Sequence, residues 1–250
     1  MKKLLIPFAL FALALSLADS ASARLRVATA STYPPYEFIN ARGELDGFDR
    51  DLMEEIGRRI GEKILWIDTG HYDMVIPTLI TDRADVIAAG MSATPIRARR
   101  VLFSTPYVPT MACFVTAPTA KVEKLEDLKG LRGAVPIGTT QDVYLTPKAE
   151  KYGFTVKTFA KIEECMWDIV TGRTDFTLMD VPVAEKLLTN PNFKDKTVRG
   201  LTFQLTGAGK ALAVKLGDTR LKEKLDGALA SMEADGTLDV LRGKWGLGKK

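Results

Sequence analysis

Short apolar runs alternate with stretches of helical period along most of this chain. Residues 25–28 (Leu-Arg-Val-Ala) read as a first strand. It leads into a polar and aromatic loop at 29–36, where the Pro34-Pro35 pair stops both helix and ladder and is expected to hold the backbone extended. Residues 38–47, with Asn40 and Gly43, suggest a hairpin or turn. Over 49–60, Leu52, Ile56 and Ile60 recur on one helical face, and Gly61 ends that helix. A strand at 64–68, a helix over 72–82 bearing Val75, Ile76 and Leu79, and a strand at 86–89 follow. Residues 99–107 read as a helix end and an irregular segment, and 111–116 as another strand.

The pattern then restarts. A charged stretch at 121–129, with Leu125 and Leu128 inward, predicts a short surface helix closed by Gly130. Strands are predicted at 131–137, 155–159 and 176–179, with helices at 142–152, 163–171 and from Asp180 to 188. The triplet Arg83-Ala84-Asp85 between a helix and a strand is echoed by Arg173-Thr174-Asp175 in the same position. Two similar α/β units are therefore expected, with ligands in the loops beyond the carboxyl ends of their strands. A strand over 210–214, a helix over 218–234 with Leu221, Leu225, Leu229 and Met232 on one side, and a terminal helix after Gly236 complete the chain.

The first residues stand apart. Met1-Lys2-Lys3, an apolar run over 4–18 and Ala21-Ser22-Ala23 have the form of a secretory signal peptide, so residues 1–23 are set aside from the fold. The apolar run is short for a membrane span, and no cysteine follows the expected cleavage position. The rest is long enough for one large or two small cores. A net charge of +4, spread along the chain, gives no reason to invoke nucleic acid. Cys113 and Cys165 could pair in an oxidising compartment or stand as two buried thiols, and sequence alone leaves both open.

The chain has one histidine, His71, which excludes a histidine-rich metal site or a His-dependent acid and base pair. Cys113 lies in an apolar strand, which suits packing better than nucleophilic attack. No phosphate-binding glycine loop or nucleophile elbow is present. No catalytic residue, metal or cofactor is expected. What the loops do carry is binding groups: Tyr33, Tyr36, Tyr72, the stretch Gly90-Met91-Ser92-Ala93-Thr94-Pro95-Ile96-Arg97, Thr139, Thr140, Gln141 and Asp180. In the central stretch a permissive glycine, two hydroxyls and a guanidinium could together receive a carboxylate. The same residues also fit an ordinary turn that starts a helix, with Thr94 as N-cap and Pro95 at the first helical position.

The chain resembles the bacterial extracellular solute-binding proteins of family 3, the polar amino-acid receptors of ABC importers. The residues that carry the resemblance are Tyr33-Pro34-Pro35-Tyr36-Glu37-Phe38, Gly47-Phe48-Asp49, Gly90 to Thr94 with Arg97, Phe103-Ser104-Thr105-Pro106-Tyr107, Gly138-Thr139-Thr140-Gln141, Gly172-Arg173-Thr174-Asp175 and Ala234-Asp235-Gly236-Thr237-Leu238. It implies a two-lobed α/β periplasmic-binding-protein fold of type II, with two crossover hinge strands and closure on a ligand by hinge motion. Lobe 1 would take residues 24–110 and 207–250, and lobe 2 residues 111–206. By matching positions, Arg97 is expected to bind the α-carboxylate of an amino acid, helped by Ser92 and the Thr140 amide. Asp180 is expected to take the α-ammonium, with Gly90 and Ser92 sharing its protons, and Tyr33 and Tyr72 to sandwich the side chain.

Ala30, Ala89, Pro136 and Met179 stand near the expected side-chain end, where there is no dedicated carboxylate for Lys or Arg and no second cation for Glu. The expectation is a neutral amino acid, bound by a monomeric periplasmic receptor and delivered to the membrane permease of an ABC transporter. Two other readings stand beside it: a periplasmic enzyme resembling the cyclohexadienyl dehydratases, and a separate soluble sensor that partners a membrane kinase.

Overall fold

The computed structural model describes residues 24–109, 111–205 and 209–248, so the expected signal peptide at 1–23 lies outside the described residues. The chain first lays down β1 (Arg24–Thr29), β2 (Thr32–Tyr33), β3 (Glu37–Ile39), β4 (Leu45–Asp46), α1 (Phe48–Ile60), β5 (Lys63–Asp68), α2 (Val75–Ile80), β6 (Val86–Ile87), α3 (Pro95–Ala98) and β7 (Val101–Phe103). It then builds β8 (Ala112–Thr116), β9 (Arg132–Pro136), α4 (Thr140–Leu145), α5 (Ala149–Tyr152), β10 (Thr155–Phe159), α6 (Ile162–Val170), β11 (Phe176–Asp180), α7 (Val181–Leu187) and β12 (Val198–Phe203). It ends with β13 (Ala213–Lys215), α8 (Thr219–Ala234) and α9 (Thr237–Lys244).

Two five-stranded sheets result, ordered β5-β1-β6-β13-β7 and β10-β9-β11-β8-β12. In each, three parallel strands are followed by one that runs against them and an edge strand that runs with them. The chain leaves the first sheet after β7 and returns to it as β13, so two segments cross between the sheets. They bond to each other as they pass: Lys210 N–H donates to the Val108 carbonyl at 2.7 Å, and Tyr107 N–H to the Lys210 carbonyl at 2.8 Å.

The echoed triplets have a common structural purpose. In the first sheet the Arg26 guanidinium donates to both Asp85 carboxylate oxygens, and its own amide donates to Oδ2 at 2.9 Å. In the second, Arg132 does the same to Asp175, with its amide 2.8 Å from Oδ2. Each pair ties the start of one parallel strand to the turn entering its neighbour, a fork geometry suited to two planar groups. Both pairs are partly exposed, so their worth is mainly in register rather than in stability.

Apolar alternation places the cores. Ala28, Ile87 and Ala213 face Val75 and Leu79 on one side of the first sheet, while Val27 and Val214 face Leu52, Ile56, Leu225 and Leu229 on the other. In the second sheet Phe114, Val135, Phe176 and Leu178 form one face with Phe154. Cys113, Met166 and Met179 belong to the opposite face, where Cys113 and Cys165 are separate buried thiols.

Several local expectations needed correction. The helix predicted over 142–152 is broken into α4, a 3-10 turn at Thr146–Lys148 and α5, with Pro147 at the junction lacking the donor a continuous helix needs. The surface helix at 121–129 is a 3-10 turn, Leu125–Leu128. The loop before Tyr36 is not extended: Tyr36 N–H turns back onto the Tyr33 carbonyl at 2.9 Å, and β2, β3 and β4 form a small sheet. Residues 101–103 are an edge strand, and Lys210 precedes β13 as an isolated bridge to Ser92 and Val108.

One tight contact offers a test of the second core. A Cβ added at Gly133 would lie 2.5 Å from the Phe176 ring, whose side chain is fully buried and paired in register with Gly133. Gly133→Ala is therefore expected to destabilise the protein by about 1 to 3 kcal/mol, read as a lowered melting temperature in thermal denaturation. An unchanged midpoint would show that the ring yields.

Candidate functional site

The cleft between the sheets is built on Gly90. Its φ of +51° is a region that side chains disfavour, and an added Cβ would press within 3.2 Å of the Tyr36 ring and 3.3 Å of Tyr33. Those two rings are stacked with centroids 5.9 Å apart. Behind the turn, Asp49 on α1 accepts the Gly90 N–H at 2.6 Å and the Tyr107 hydroxyl at 2.8 Å. A single buried carboxylate thus joins the central loop to the first crossing segment. Burial pushes the Asp49 carboxyl up to about 6, against the pull of those two donors. Beside it, Glu37 is fully buried with neither carboxyl oxygen accepting a hydrogen bond, and burial lifts it well above the usual carboxylate range.

Thr94 caps α3, with Pro95 at the first helical position; its hydroxyl accepts the Arg97 amide at 3.3 Å. The turn reading of this stretch therefore holds, and it also aims a guanidinium at the cleft. Arg97 is 9% exposed, donates to the Ser92 carbonyl at 3.0 Å, and reaches across to the Gly138 carbonyl at 3.1 Å. Its guanidinium carbon lies 5.3 Å from the centre of the Tyr72 ring. Two of its five N–H donors are thus engaged on backbone, and the fork keeps others.

Tyr33, Tyr72, Gly90, Ser92, Thr139, Thr140 and Gln141 surround one small interior space, with Thr32, Pro136, Ala160, Ile162 and Lys210. Arg97 and Thr140 line a larger adjoining groove of about 640 Å³, with Ile96, Val143, Tyr144 and Lys148. Of the residues expected near a ligand side chain, Pro136 alone lines either space; Ala30, Ala89 and Met179 are buried behind. The interior holds about 20 Å³. That is room for a single water molecule.

The reason is Lys210, which the sequence reading did not single out. Its ammonium lies 2.5 Å from Asp180 Oδ2, donates to Ser92 Oγ at 3.1 Å, and sits 5.6 and 5.3 Å from the centres of the Tyr33 and Tyr36 rings. Both side chains of the pair are 3% exposed. The other Asp180 oxygen accepts from Gln141 Nε2 at 3.0 Å, and the Asp180 amide donates to the Tyr33 hydroxyl at 3.2 Å. Asp180 and Ser92, expected to meet the ammonium of a ligand, both contact an ammonium from the chain itself in this structure. A lysine opening an otherwise apolar run (Ala-Leu-Ala-Val, 211–214) was the available signal, because such a charge is buried only with a partner. Among the described residues no cluster of three or more metal-binding side chains occurs.

Two lobes, crossing segments and a cleft of donors at the strand ends define a solute-binding protein of the two-lobed periplasmic type. The comparisons agree. Residues 25–248 match the pattern of the bacterial extracellular solute-binding proteins, family 3, and the chain belongs to that family. It is 33% identical over 246 residues to the putative ABC transporter arginine-binding protein 2 of Escherichia coli (strain K12), covering 98% of this chain and 99% of that one. The histidine-binding periplasmic protein of the same organism is 32% identical, with 98% and 97% covered. Among solved structures, an ancestral arginine-binding protein bound to arginine superposes with a TM-score of 0.84 at 32% identity, over 89% of this chain and 98% of that one.

The Asp49 pin gives a pH signature. Its carboxyl titrates near 6 in the folded protein against an ordinary value near 3.9. The folded state therefore holds the proton more tightly, and stability falls as pH rises from about 4 to about 6, by up to about 3 kcal/mol from this group. Asp49→Asn is expected to flatten that part of the slope. Denaturant unfolding at intervals between pH 4 and 7 measures it, and an unaltered slope would reject the assignment.

Proposed function

We propose that the chain is the periplasmic receptor of an ABC importer, closing its lobes (24–110 with 207–250, and 111–206) on a small α-substituted carboxylic acid, the chemical class that includes the amino acids, and presenting it to a membrane permease. In this reading Arg97 anchors the solute carboxylate, Ser92 and Thr140 assist it, and Tyr33 and Tyr72 flank the remainder. The side chain of the solute is uncharged. The observation that carries this is the lining: neither the interior nor the adjoining groove is lined by an Asp or Glu, while both carry cations, Lys210 in one and Arg97 with Lys148 in the other. A cationic side chain would enter without a counter-charge, and an unpaired buried charge is costly. The relative named for arginine therefore shares the fold with this chain, but not the ligand.

Truncating the anchor is the direct test. Arg97→Ala is expected to weaken solute binding by about 2 to 5 kcal/mol, the range for removing one partner of a buried charge pair. Isothermal titration of the wild type with arginine, glutamate and neutral solutes reads the ligand class; tight arginine binding would reject the uncharged side chain. The dehydratase reading calls for an acid free to act in the cleft, whereas Asp180, behind the lining, is ion-paired with Lys210. Release of phenylpyruvate from added prephenate by the purified protein would reinstate it.

A further inference from the structure

From the Lys210–Asp180 pair we infer that the solute lacks an α-amino group: it is a 2-oxo or 2-hydroxy monocarboxylic acid with an uncharged side chain, and Lys210 is the residue that sets this choice. The inference rests on the receptor reading above and on Arg97 as the carboxylate anchor.

Charge is the first argument. An amino acid is a zwitterion, and closing a low-dielectric cleft on it requires an anion for its ammonium. The nearest anion, Asp180, stands behind the lining and is engaged by the chain's own ammonium at 2.5 Å, and among the described residues no acidic side chain lines the space. A second ammonium would meet Lys210 as a like charge across a few ångströms. A monoanion meets the opposite situation: Asp180 and Lys210 offset each other, and Arg97 is left as a cation whose contacts are two neutral carbonyls and the face of Tyr72.

Hydrogen-bond polarity is the second. Ser92 Oγ already accepts from Lys210, which leaves its own hydrogen to give and one lone pair of two to receive. Tyr33 Oη accepts from the Asp180 amide and likewise keeps its hydrogen. Gln141 spends an amide N–H on Asp180. Two hydroxyl donors and a lysine ammonium thus line the same small interior space. An ammonium can only donate, so the Lys210 ammonium repels it and the two hydroxyls can meet it only with their remaining lone pairs; a keto oxygen only accepts and a hydroxyl can do either, so both can accept from these donors. The mismatch acts against amino acids as an unpaired donor acts against the wrong substrate in any polar site.

The test is titration of the wild-type protein, without its first 23 residues, against matched sets that differ only at the α-carbon: alanine, pyruvate and lactate; leucine and its 2-oxo and 2-hydroxy analogues; phenylalanine, phenylpyruvate and phenyllactate. Within the set that binds, the oxo or hydroxy acid is expected to bind at least ten-fold more tightly than the amino acid. Lys210→Met, which removes the ammonium and retains the length of the stem, is expected to shift that ratio at least ten-fold toward the amino acid. An amino acid bound as tightly as its deaminated match by the wild type overturns the inference, and so does a Lys210→Met ratio equal to the wild type's. Should that variant fail to fold, the wild-type ratio alone decides. Failure of the receptor reading looks different: no member of any set binds, or Arg97→Ala binds the preferred acid as the wild type does, and either result removes the inference with it.

Discussion

A buried ammonium and a buried carboxylate, 2.5 Å apart and contributed by opposite sides of the cleft, govern the arrangement of this protein. Each would be very costly alone in so dry a place, and together they tolerate burial only because neighbours complete their hydrogen bonding. Ser92 and Gln141 do so from the side chains, and Tyr33 lies against the Asp180 amide. The close approach of the two lobes and the pairing of the two charges are therefore one condition. Parting the lobes returns both to water, where the attraction is weak.

Around that pair the rest is scaffolding of a particular kind. The two Arg–Asp forks set the register of the parallel strands in each lobe, and so fix where the strands end and where the loops project. Asp49 then holds the Gly90 turn to the first crossing segment, so that the cleft wall and the hinge are tied at one carboxylate. The aromatic rings press closely on Gly90, and its positive φ also disfavours a side chain there. Rigidity is concentrated at the floor of the cleft, while Arg97 reaches the other lobe through a single hydrogen bond to Gly138.

Much of this was legible in the sequence, for reasons that differ by element. The helix at α1 follows from Leu52, Ile56 and Ile60 at helical spacing with Gly61 at its end, all local signals. The repeat of the two lobes was visible in the triplets that end at Asp85 and Asp175, because each fork needs that aspartate at the entry to its strand. The Thr94 cap was equally local. What escaped was non-local. The edge strand at 101–103 is defined by pairing with β13, more than a hundred residues away. The partner of Asp180 was unreadable for the same cause: nothing near residue 210 says that its side chain meets one from β11 across the cleft, and the carboxylate alone suggested a vacancy for a ligand.

Lys210 is also part of the returning crossing segment, bonded through its backbone to Val108 of the outgoing one. One side chain on the hinge thereby touches the chamber and the far lobe together. On the proposed receptor reading, selectivity and resting posture are consequently not separable traits: a substitution at position 210 that admits a new cargo would also remove the bond that joins the two sides of the cleft, and with it change the fraction of empty receptors that imitate full ones.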